Sequence, residues 1–338
     1  DALLIRTRTK CKEELLKGTR VKFIGTATIG FDHIDTMYCD ANGIKWTNAP
    51  GCNSSSVQQY ITAALLKLSH DNGFSLKGKT LGIIGVGNVG SKVEKAARAL
   101  GMNVILNDPP RKRREGNTNF VSLEDILCNS DIVTLHVPLN LSGEDMTYHL
   151  FREESFRKLG KGTWFINSSR GEVVETAALK KTVSSGMIRS ILDVWENEPD
   201  IDTELMGKAF ISTPHIAGYS TDGKANGTAM VVNSLSAFFG LPLKDWYPAD
   251  VPLPDGTDII IDANGKDEYN IVMEAVVRTY GIEMDDSMLR LSPADFEKQR
   301  GNYRLRREFT SFRVKLIGSN PVAEKMLEGL GFKIFSNH

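Results

Sequence analysis

The stretch L-G-I-I-G-V-G-N-V-G, residues 81–90, decides the fold of this chain. Leu81 to Ile84 form a continuous apolar run, which is typical of a strand buried on both faces of a parallel sheet. Three glycines follow with the spacing G-x-G-x-x-G, and Asn88 to Leu100 then carry a helical pattern before a second apolar run at 103–107. A strand, a tight glycine turn and a helix in this order predict a doubly wound parallel sheet.

The glycine turn predicts a nucleotide cofactor. Gly85 permits the tight turn, Gly87 lets a pyrophosphate approach the backbone, and Gly90 lets the helix pack on the strand. The amides at the start of the helix, around Asn88 and Val89, would receive the phosphates.

Asp108 indicates which nucleotide this is. It follows the second strand, close to the usual ~20 residues beyond the turn, where a carboxylate bonds the adenosine ribose and repels a 2′-phosphate. Asp108 therefore predicts NAD. The basic cluster Arg111, Lys112, Arg113 and Arg114 leaves NADP as an alternative, and its ordinary interpretation is a solvated surface. The same interpretation is given to the cluster from Arg304 to Arg307.

The length of 338 residues predicts two or three domains at ~150 residues each. Strand and helix patterns alternate along the chain, so the fold class is α/β. We expect an NAD-binding domain at 73–217, a substrate-binding domain at 1–72 plus 218–245, and a small C-terminal αβ domain at 250–338. The strands are predicted at 3–5, 21–24, 81–84, 103–107, 131–137, 163–167, 190–195, 210–212, 258–262, 311–317 and 332–335, and helices at 10–17, 33–42, 54–70, 88–100, 221–239 and 268–280.

Composition excludes several classes of partner. Lys plus Arg (41) nearly balances Asp plus Glu (42), so no global field recruits nucleic acid or a membrane surface, and a small-molecule substrate fits better. No apolar run reaches ~18 residues and no leader pattern opens the chain, which predicts a soluble cytoplasmic protein. The four cysteines are far apart without C-x-x-C spacing, so we expect reduced thiols and no metal site.

Three residues at the ends of successive predicted strands predict the chemistry: Arg170 in N-S-S-R-G, Glu198 in L-D-V-W-E-N-E-P, and His215 in S-T-P-H-I-A-G-Y. In a doubly wound sheet, ligands bind beyond the carboxyl ends of the strands, so all three could face a nicotinamide. His215 can take a hydroxyl proton, Glu198 can hold the imidazolium, and Arg170 offers a planar fork to a carboxylate. Each alone has an ordinary structural interpretation, but the ordered trio behind a nucleotide turn indicates a dehydrogenase.

Asp193 lies inside an apolar strand run, where a carboxylate is costly to bury without a partner. A cofactor amide is one candidate partner, and a neighbouring backbone N–H is the other.

These motifs, together with T-A-T-I-G-F-D-H-I-D, resemble the D-isomer-specific 2-hydroxyacid dehydrogenases, and the resemblance covers most of the chain. It implies a Rossmann cofactor domain, a flavodoxin-like substrate domain and a C-terminal domain that completes a two-fold homodimer. It also implies a strand before Asp1, so we expect the substrate domain to be incomplete. The implied site residues are Arg170, Glu198 and His215 as the active site, with His215 as proton donor; Asn88, Val89, Asp108, Asp193 and Gly218 at the cofactor; and Thr7, Thr28 and Tyr219 at the substrate.

Within the family, N-A-P-G-C-N at 48–53, D-P-P at 108–110, the stretch 214–228 and R-L-R-R-E-F resemble members that oxidise a phosphorylated four-carbon 2-hydroxy acid. Such a substrate needs a second cationic pocket, for which Arg6 and Arg8 are our hypothesis. A member acting on D-3-phosphoglycerate is the nearest alternative. The intact trio argues against a non-enzymatic NAD-sensing protein.

Overall fold

The computed structural model describes residues 1–116, 119–254 and 256–335. Residues 336–338, with which the expected C-terminal domain ends, lie outside the described residues. The chain divides into two compact units, and the division places residues 57–72 and the C-terminal part in the same unit as the glycine turn. The three-domain organisation stays a prediction. The first unit comprises Asp1–Ser56, Gly218–Pro254 and Leu305–Glu308, and the second comprises Val57–Ala217, Asp255–Arg304 and Phe309–His338.

Strands and helices alternate over most of the chain, as the α/β class requires. The strands are β1 Ala2–Ile5, β2 Phe23–Thr26, β3 Lys45–Thr47, β4 Thr80–Ile84, β5 Asn103–Asn107, β6 Ile132–Leu135, β7 Trp164–Asn167, β8 Arg189–Leu192, β9 Ile211–Ser212, β10 Asp258–Asp262, β11 Arg313–Ile317 and β12 Lys333–Ile334. The α-helices are α1 Glu13–Leu16, α2 Thr36–Ala41, α3 Ser54–Asp71, α4 Asn88–Ala99, α5 Pro109–Glu115, α6 Leu123–Asn129, α7 Glu153–Arg157, α8 Thr176–Ser184, α9 Thr203–Lys208, α10 Thr221–Phe239, α11 Glu268–Thr279, α12 Ile282–Leu291, α13 Phe296–Gly301 and α14 Pro321–Leu330.

The second unit contains a six-stranded parallel sheet with the order β5-β4-β6-β7-β8-β9. An isolated parallel bridge between Leu106 and Phe120 extends the sheet beyond β5. Because β5 and β6 lie on opposite sides of β4, the direction of winding changes at β4, where the glycine turn leaves the sheet. The predicted doubly wound parallel sheet is confirmed.

Several strands are shorter than the sequence predicts, and β8 shows why. The apolar run at 190–195 predicts a strand to Trp195, but β8 ends at Leu192. Asp193 donates one more backbone bond to Asn167 (N to O, 2.9 Å). The chain then turns away from the sheet, because the carboxylate of Glu198 accepts the N–H of Trp195 at 3.0 Å.

The C-terminal part shares a hydrophobic core with the six-stranded sheet. Leu289 of α12 and Phe296 of α13 are buried in the same cluster as Phe165 of β7. Arg290 of α12 donates to the carbonyls of Met206 and Ala209 at 2.9 and 2.7 Å. These contacts explain why this part belongs to the second unit.

A separate three-stranded parallel sheet, β10-β11-β12, lies in the C-terminal part. Alternate residues of β10 and β11 are buried, and the residues between them are exposed, including Ile260 and Ile317. One face of these two strands therefore carries exposed aliphatic side chains.

The first unit contains a three-stranded parallel sheet, β1-β2-β3, against which α10 packs. Gly25 of β2 makes this approach possible, since a Cβ at that position would lie 2.3 Å from a methyl carbon of Val231. The three-residue strand β3 has no counterpart among the predicted strands, because so short a run carries little periodicity.

The prediction that Arg304 to Arg307 form a solvated cluster is wrong for two of these residues. Arg306 is 3% exposed and Arg307 is 9% exposed. The guanidinium of Arg307 donates from Nε and Nη2 to the carboxylate of Asp222, at 2.9 and 2.8 Å. Glu308 is also buried, and its Oε1 accepts hydrogen bonds from the hydroxyls of Ser56 and Ser220 at 2.9 and 3.0 Å. Residues 306–308 therefore lie in the interior of the first unit.

Arg307→Ala should destabilise the protein by about 3–5 kcal/mol, because it leaves the carboxylate of Asp222, only 13% exposed, without its cation. The measurement is the shift of the urea unfolding midpoint. Arg113 is a matched control, since it pairs with Asp145 while 44% and 34% of the two side chains are exposed. Arg113→Ala should cost less than about 1 kcal/mol. Equal shifts for both variants would contradict the assignment of a buried pair.

Candidate active site

The glycine turn connects β4 to α4. Gly85 has φ +85°, and a Cβ there would lie 2.6 Å from the carbonyl oxygen of His136. A Cβ at Gly90 would lie 2.1 Å from the carbonyl oxygen of Gly85. At Gly87, by contrast, no atom of the described residues comes within 4 Å of the Cβ position. The first and third glycines are therefore required by packing, and the space over Gly87 suits a ligand group.

Asp108 is the residue that follows β5, and it connects the second strand to the glycine turn. Its Oδ2 accepts the backbone N–H of Val86 at 2.8 Å, and its Oδ1 accepts that of Arg111 at 3.0 Å, which caps α5. A carboxylate oxygen can accept more than one hydrogen bond, so both oxygens retain capacity for ribose hydroxyls.

The neighbouring basic cluster is largely paired with carboxylates. Arg111 donates to Glu115 at 2.8 Å, and Arg114 donates to the same residue at 2.9 Å. Arg113 donates to Asp145 at 2.7 Å. These three cations have partners within the protein, which favours NAD over NADP.

His215 and Glu198 form a close pair. Nδ1 of His215 lies 2.7 Å from Oε2 of Glu198. Burial by itself raises the pKa of Glu198, but the charge and hydrogen bond of His215 and the N–H of Trp195 lower it below its usual range. An ionised carboxylate only accepts, so Nδ1 carries the proton and Nε2 is left to exchange a proton with a bound molecule.

The turn that carries His215 is held by Asp193. The backbone N–H of His215, at the left-handed φ of +55°, donates to the carbonyl of Asp193 at 2.7 Å. The buried carboxylate accepts hydrogen bonds from the hydroxyl of Thr213 at 2.6 Å and from the N–H groups of Ile216 and Ala217 at 2.8 and 2.9 Å. Burial raises the pKa of Asp193, against the effect of His215 and these donors. Of the two partners expected from the sequence, the backbone N–H is therefore observed.

Two further residues support this turn, and neither was named as a site residue from the sequence. The hydroxyl of Tyr60 lies 2.9 Å from Oγ1 of Thr213, and Nε1 of Trp195 donates to the carbonyl of Thr213 at 3.0 Å. Trp195 lies inside the L-D-V-W-E-N-E-P motif, so the sequence could have indicated that it belongs to the site. Tyr60 lies in α3, far away in the sequence, and only the fold brings it here.

Arg170 follows β7, in a loop shaped by Asn167. Oδ1 of Asn167 accepts the N–H of Ser169 at 3.0 Å, and its Nδ2 donates to the carbonyl of Arg170 at 2.9 Å. A Cβ at Gly171 would lie 1.9 Å from the backbone carbon of Trp195. The loop of Arg170 therefore packs directly on the turn that leads to Glu198.

The three expected active-site residues thus occupy the loops that leave the carboxyl ends of β7, β8 and β9, which are neighbours in one parallel sheet. This edge of the sheet therefore carries Arg170 and the imidazole–carboxylate pair of His215 and Glu198. Such an arrangement can hold an anionic substrate and move a proton.

The remaining expected site residues lie in the first unit. Thr7 and Thr28 follow the carboxyl ends of β1 and β2, which are neighbouring parallel strands. The hydroxyl of Thr28 donates to the carbonyl of Gly30 at 2.9 Å. Gly218 packs against Asn53, since a Cβ at Gly218 would lie 2.3 Å from the amide nitrogen of Asn53. The centroid of the Tyr219 ring is 5.7 Å from Nζ of Lys224.

Within residues 1–116, 119–254 and 256–335, each helix is too short or too polar to cross a bilayer. The same residues bring no group of three His, Cys, Asp or Glu side chains together as metal ligands. The four cysteines are free thiols, and Cys128 is exposed while the other three are buried.

Comparison with known proteins identifies the family. Residues 54–217 match the family described as D-isomer specific 2-hydroxyacid dehydrogenase, NAD binding domain. An erythronate-4-phosphate dehydrogenase of Bacteroides fragilis (strain ATCC 25285) is 50% identical over 315 residues, which cover 93% of this chain and 88% of that protein. One of Proteus mirabilis (strain HI4320) is 42% identical over 336 residues, covering 98% and 88%.

Solved structures agree with this result. A D-lactate dehydrogenase from Aquifex aeolicus, complexed with NAD and lactic acid, is 30% identical with a TM-score of 0.60, over 71% of this chain and 83% of that chain. The chain therefore belongs to the D-isomer specific 2-hydroxyacid dehydrogenase family, and within it to the group of the erythronate-4-phosphate dehydrogenases. The expectations of a dehydrogenase and of NAD as the cofactor are confirmed.

Asp193→Asn should destabilise the protein by about 1–3 kcal/mol. The NH₂ group of the amide would face an N–H or O–H donor whose hydrogen bond the carboxylate now accepts, and two donors cannot pair. Chemical unfolding without cofactor measures the effect. Asp200 is the control, since it is exposed and lies in the same segment of the chain. Asp200→Asn should change stability by less than about 0.5 kcal/mol. If the two variants unfold at the same urea concentration, the carboxylate of Asp193 does not hold the turn.

Proposed function

We propose that this chain oxidises 4-phospho-D-erythronate at C2 to (R)-3-hydroxy-2-oxo-4-phosphooxybutanoate, as a step of pyridoxal 5′-phosphate (vitamin B6) biosynthesis. The names of relatives at 42–50% identity support the substrate. The observation that carries the chemistry is the 2.7 Å contact between His215 and Glu198. D-3-phosphoglycerate, the alternative substrate, is not favoured, because the relatives that match over most of this chain are named erythronate-4-phosphate dehydrogenase.

His215 acts as the acid–base group in this proposal. Its Nε2 removes the proton of the C2 hydroxyl as the hydrogen on C2 departs with its electron pair. When bound, NAD supplies the acceptor for that hydride. Glu198 steadies the imidazolium through Nδ1, and Arg170 binds the substrate carboxylate through its planar fork. In the reverse direction His215 is the proton donor.

The chain's own groups suit the cofactor. The open space over Gly87 and the amides at Asn88 and Val89 would receive the pyrophosphate, and Asp108 would accept the ribose hydroxyls. Gly218 is also proposed to contact the cofactor. Oδ2 of Asp193 accepts one N–H, so a second lone pair remains for a cofactor amide. Thr7, Thr28 and Tyr219 are the proposed substrate contacts.

His215→Ala should lower kcat by ~10²–10⁴, because the reaction loses its base. The nicotinamide absorbance assay, with 4-phospho-D-erythronate, D-3-phosphoglycerate and D-lactate side by side, measures both rate and substrate preference.

His149 offers a matched control, since its Nε2 lies 2.6 Å from Oε1 of Glu196 in a second histidine–glutamate pair of the same unit. His149→Ala should leave kcat within about tenfold of the wild-type value, because a histidine outside the reaction does not act as the general base. A near-normal rate for His215→Ala would remove His215 from the mechanism. A higher kcat/KM on D-3-phosphoglycerate would reassign the substrate.

We infer that the enzyme is a cytoplasmic homodimer that pairs through the exposed face of β10 and β11. Asp258 and Arg313 form an exposed ion pair at 2.7 Å on this face. Ile260 and Lys315 stand beside each other in the register, and Ile317 lies opposite the end of β10. A two-fold axis would place Asp258 and Arg313 of one copy against residues of opposite charge on the other copy. The aliphatic side chains would then lie at the centre of the interface.

The double variant Ile260→Asp/Ile317→Asp should be monomeric, because it places carboxylates at the apolar centre of the inferred interface. Analytical ultracentrifugation measures the mass. Val322, 55% exposed on α14, is the control site, and Val322→Asp should remain dimeric. A wild-type monomer, or a double variant that stays dimeric, would rule out this face.

A further inference from the structure

Lys224 stands next to an expected substrate residue. It lies in the first turn of α10, where its backbone N–H donates to the carbonyl of Ser220 at 3.1 Å. Its Nζ is 5.7 Å from the ring centroid of Tyr219. The ammonium group of Lys224 and the hydroxyl-bearing ring of Tyr219 therefore share one locality of the first unit.

A second cation belongs to this locality. Partial desolvation and then the charge of Arg6 lower the pKa of Lys224. Arg6 also acts on Cys52. Burial raises the pKa of the Cys52 thiol to about 11, and the charge of Arg6 partly opposes this rise. Arg6 comes directly after β1, one residue before Thr7, so it lies at the sheet edge that carries the expected substrate contacts. Two like charges in one locality repel each other, and a bound anion would relieve that repulsion.

The nearby carboxylates are engaged elsewhere. Asp222 accepts from the guanidinium of Arg307, and Oε1 of Glu308 accepts from two serine hydroxyls. Within the described residues, no carboxylate oxygen lies within 4.0 Å of a side-chain nitrogen of Lys224 or Arg6. Most other arginines of the chain have such a partner. The positive charge of this pair is thus left for a ligand.

We propose that Lys224, together with Arg6, binds the phosphate of the substrate and makes the enzyme prefer a phosphorylated 2-hydroxy acid. This inference rests on the proposed function, whose substrate carries a carboxylate at one end and a phosphate at the other. The sequence hypothesis named Arg6 and Arg8. The structure adds Lys224, because its ammonium group lies 5.7 Å from the ring of Tyr219, another expected substrate contact.

Lys224→Met tests the inference, since it keeps the length of the side chain and removes the charge. It should lower kcat/KM for 4-phospho-D-erythronate by roughly ten- to a hundredfold, mainly through KM, because one charge-assisted contact to phosphate is lost. D-Erythronate, which lacks the phosphate, is measured as a substrate or as a competitive inhibitor, and its constant should change less than about twofold. Lys224→Arg keeps the charge and should retain most of the preference.

Lys45→Met is the control, because Lys45 is an exposed lysine of β3 in the same unit. It should leave both constants unchanged. An equal loss on the phosphorylated and the unphosphorylated acid would overturn the inference, since Lys224 would then act on the shared part of the substrate or on the fold. An unchanged KM for the phosphorylated acid would overturn it too.

Calorimetric titration with inorganic phosphate separates this inference from the proposed function. If the wild type does not turn over 4-phospho-D-erythronate, the proposed function fails. The titration then decides by itself whether Lys224 binds phosphate. Weaker phosphate binding to Lys224→Met than to the wild type and Lys45→Met supports the site. Equal affinity for phosphate in the three proteins rules the site out.

Discussion

The edge of the six-stranded sheet that carries the proposed active site depends on one buried carboxylate, that of Asp193. It accepts hydrogen bonds from Thr213, Ile216 and Ala217, and its own carbonyl accepts the N–H of His215. A residue with a β-carbon rarely adopts a positive φ without such support. The direction of the imidazole is therefore set by groups that are buried beneath it, and Glu198 then fixes which ring nitrogen carries the proton.

Close backbone packing adds a second constraint. Gly171 lies so near the backbone of Trp195 that no side chain fits between the two loops. The guanidinium of Arg170 and the carboxylate of Glu198 are consequently carried by segments whose backbones pack directly on each other. A site that must hold a small acid and move its proton benefits from this rigidity, because misplacement by ~1 Å is costly for catalysis.

Much of this architecture could be predicted from the sequence, for physical reasons that are local. The positive φ of Gly85 and the approach of Gly90 to the carbonyl of Gly85 are local constraints, and the continuous apolar runs predict buried parallel strands. Contacts between distant segments could not be predicted. Tyr60 meets Thr213 across 153 positions, and Arg307 meets Asp222 across 85. The basic run at 304–307 therefore looked like a solvated surface, although its partner stands in α10. Lys224 was also missed, because a single lysine in a helix carries no signal until its neighbours are known.

The path of the chain has a consequence for biosynthesis. Residues 305–308 belong to the first unit, although the polypeptide has already contributed to the second unit twice before reaching them. On the ribosome, Ser56, Ser220 and Asp222 therefore lack Glu308 and Arg307 as partners until residue 308 has been translated. A nascent chain halted shortly after residue 254 would hold hydroxyls and a carboxylate in an unfinished interior. Completion of the first unit is thus a late event, coupled to synthesis of residues 305–308.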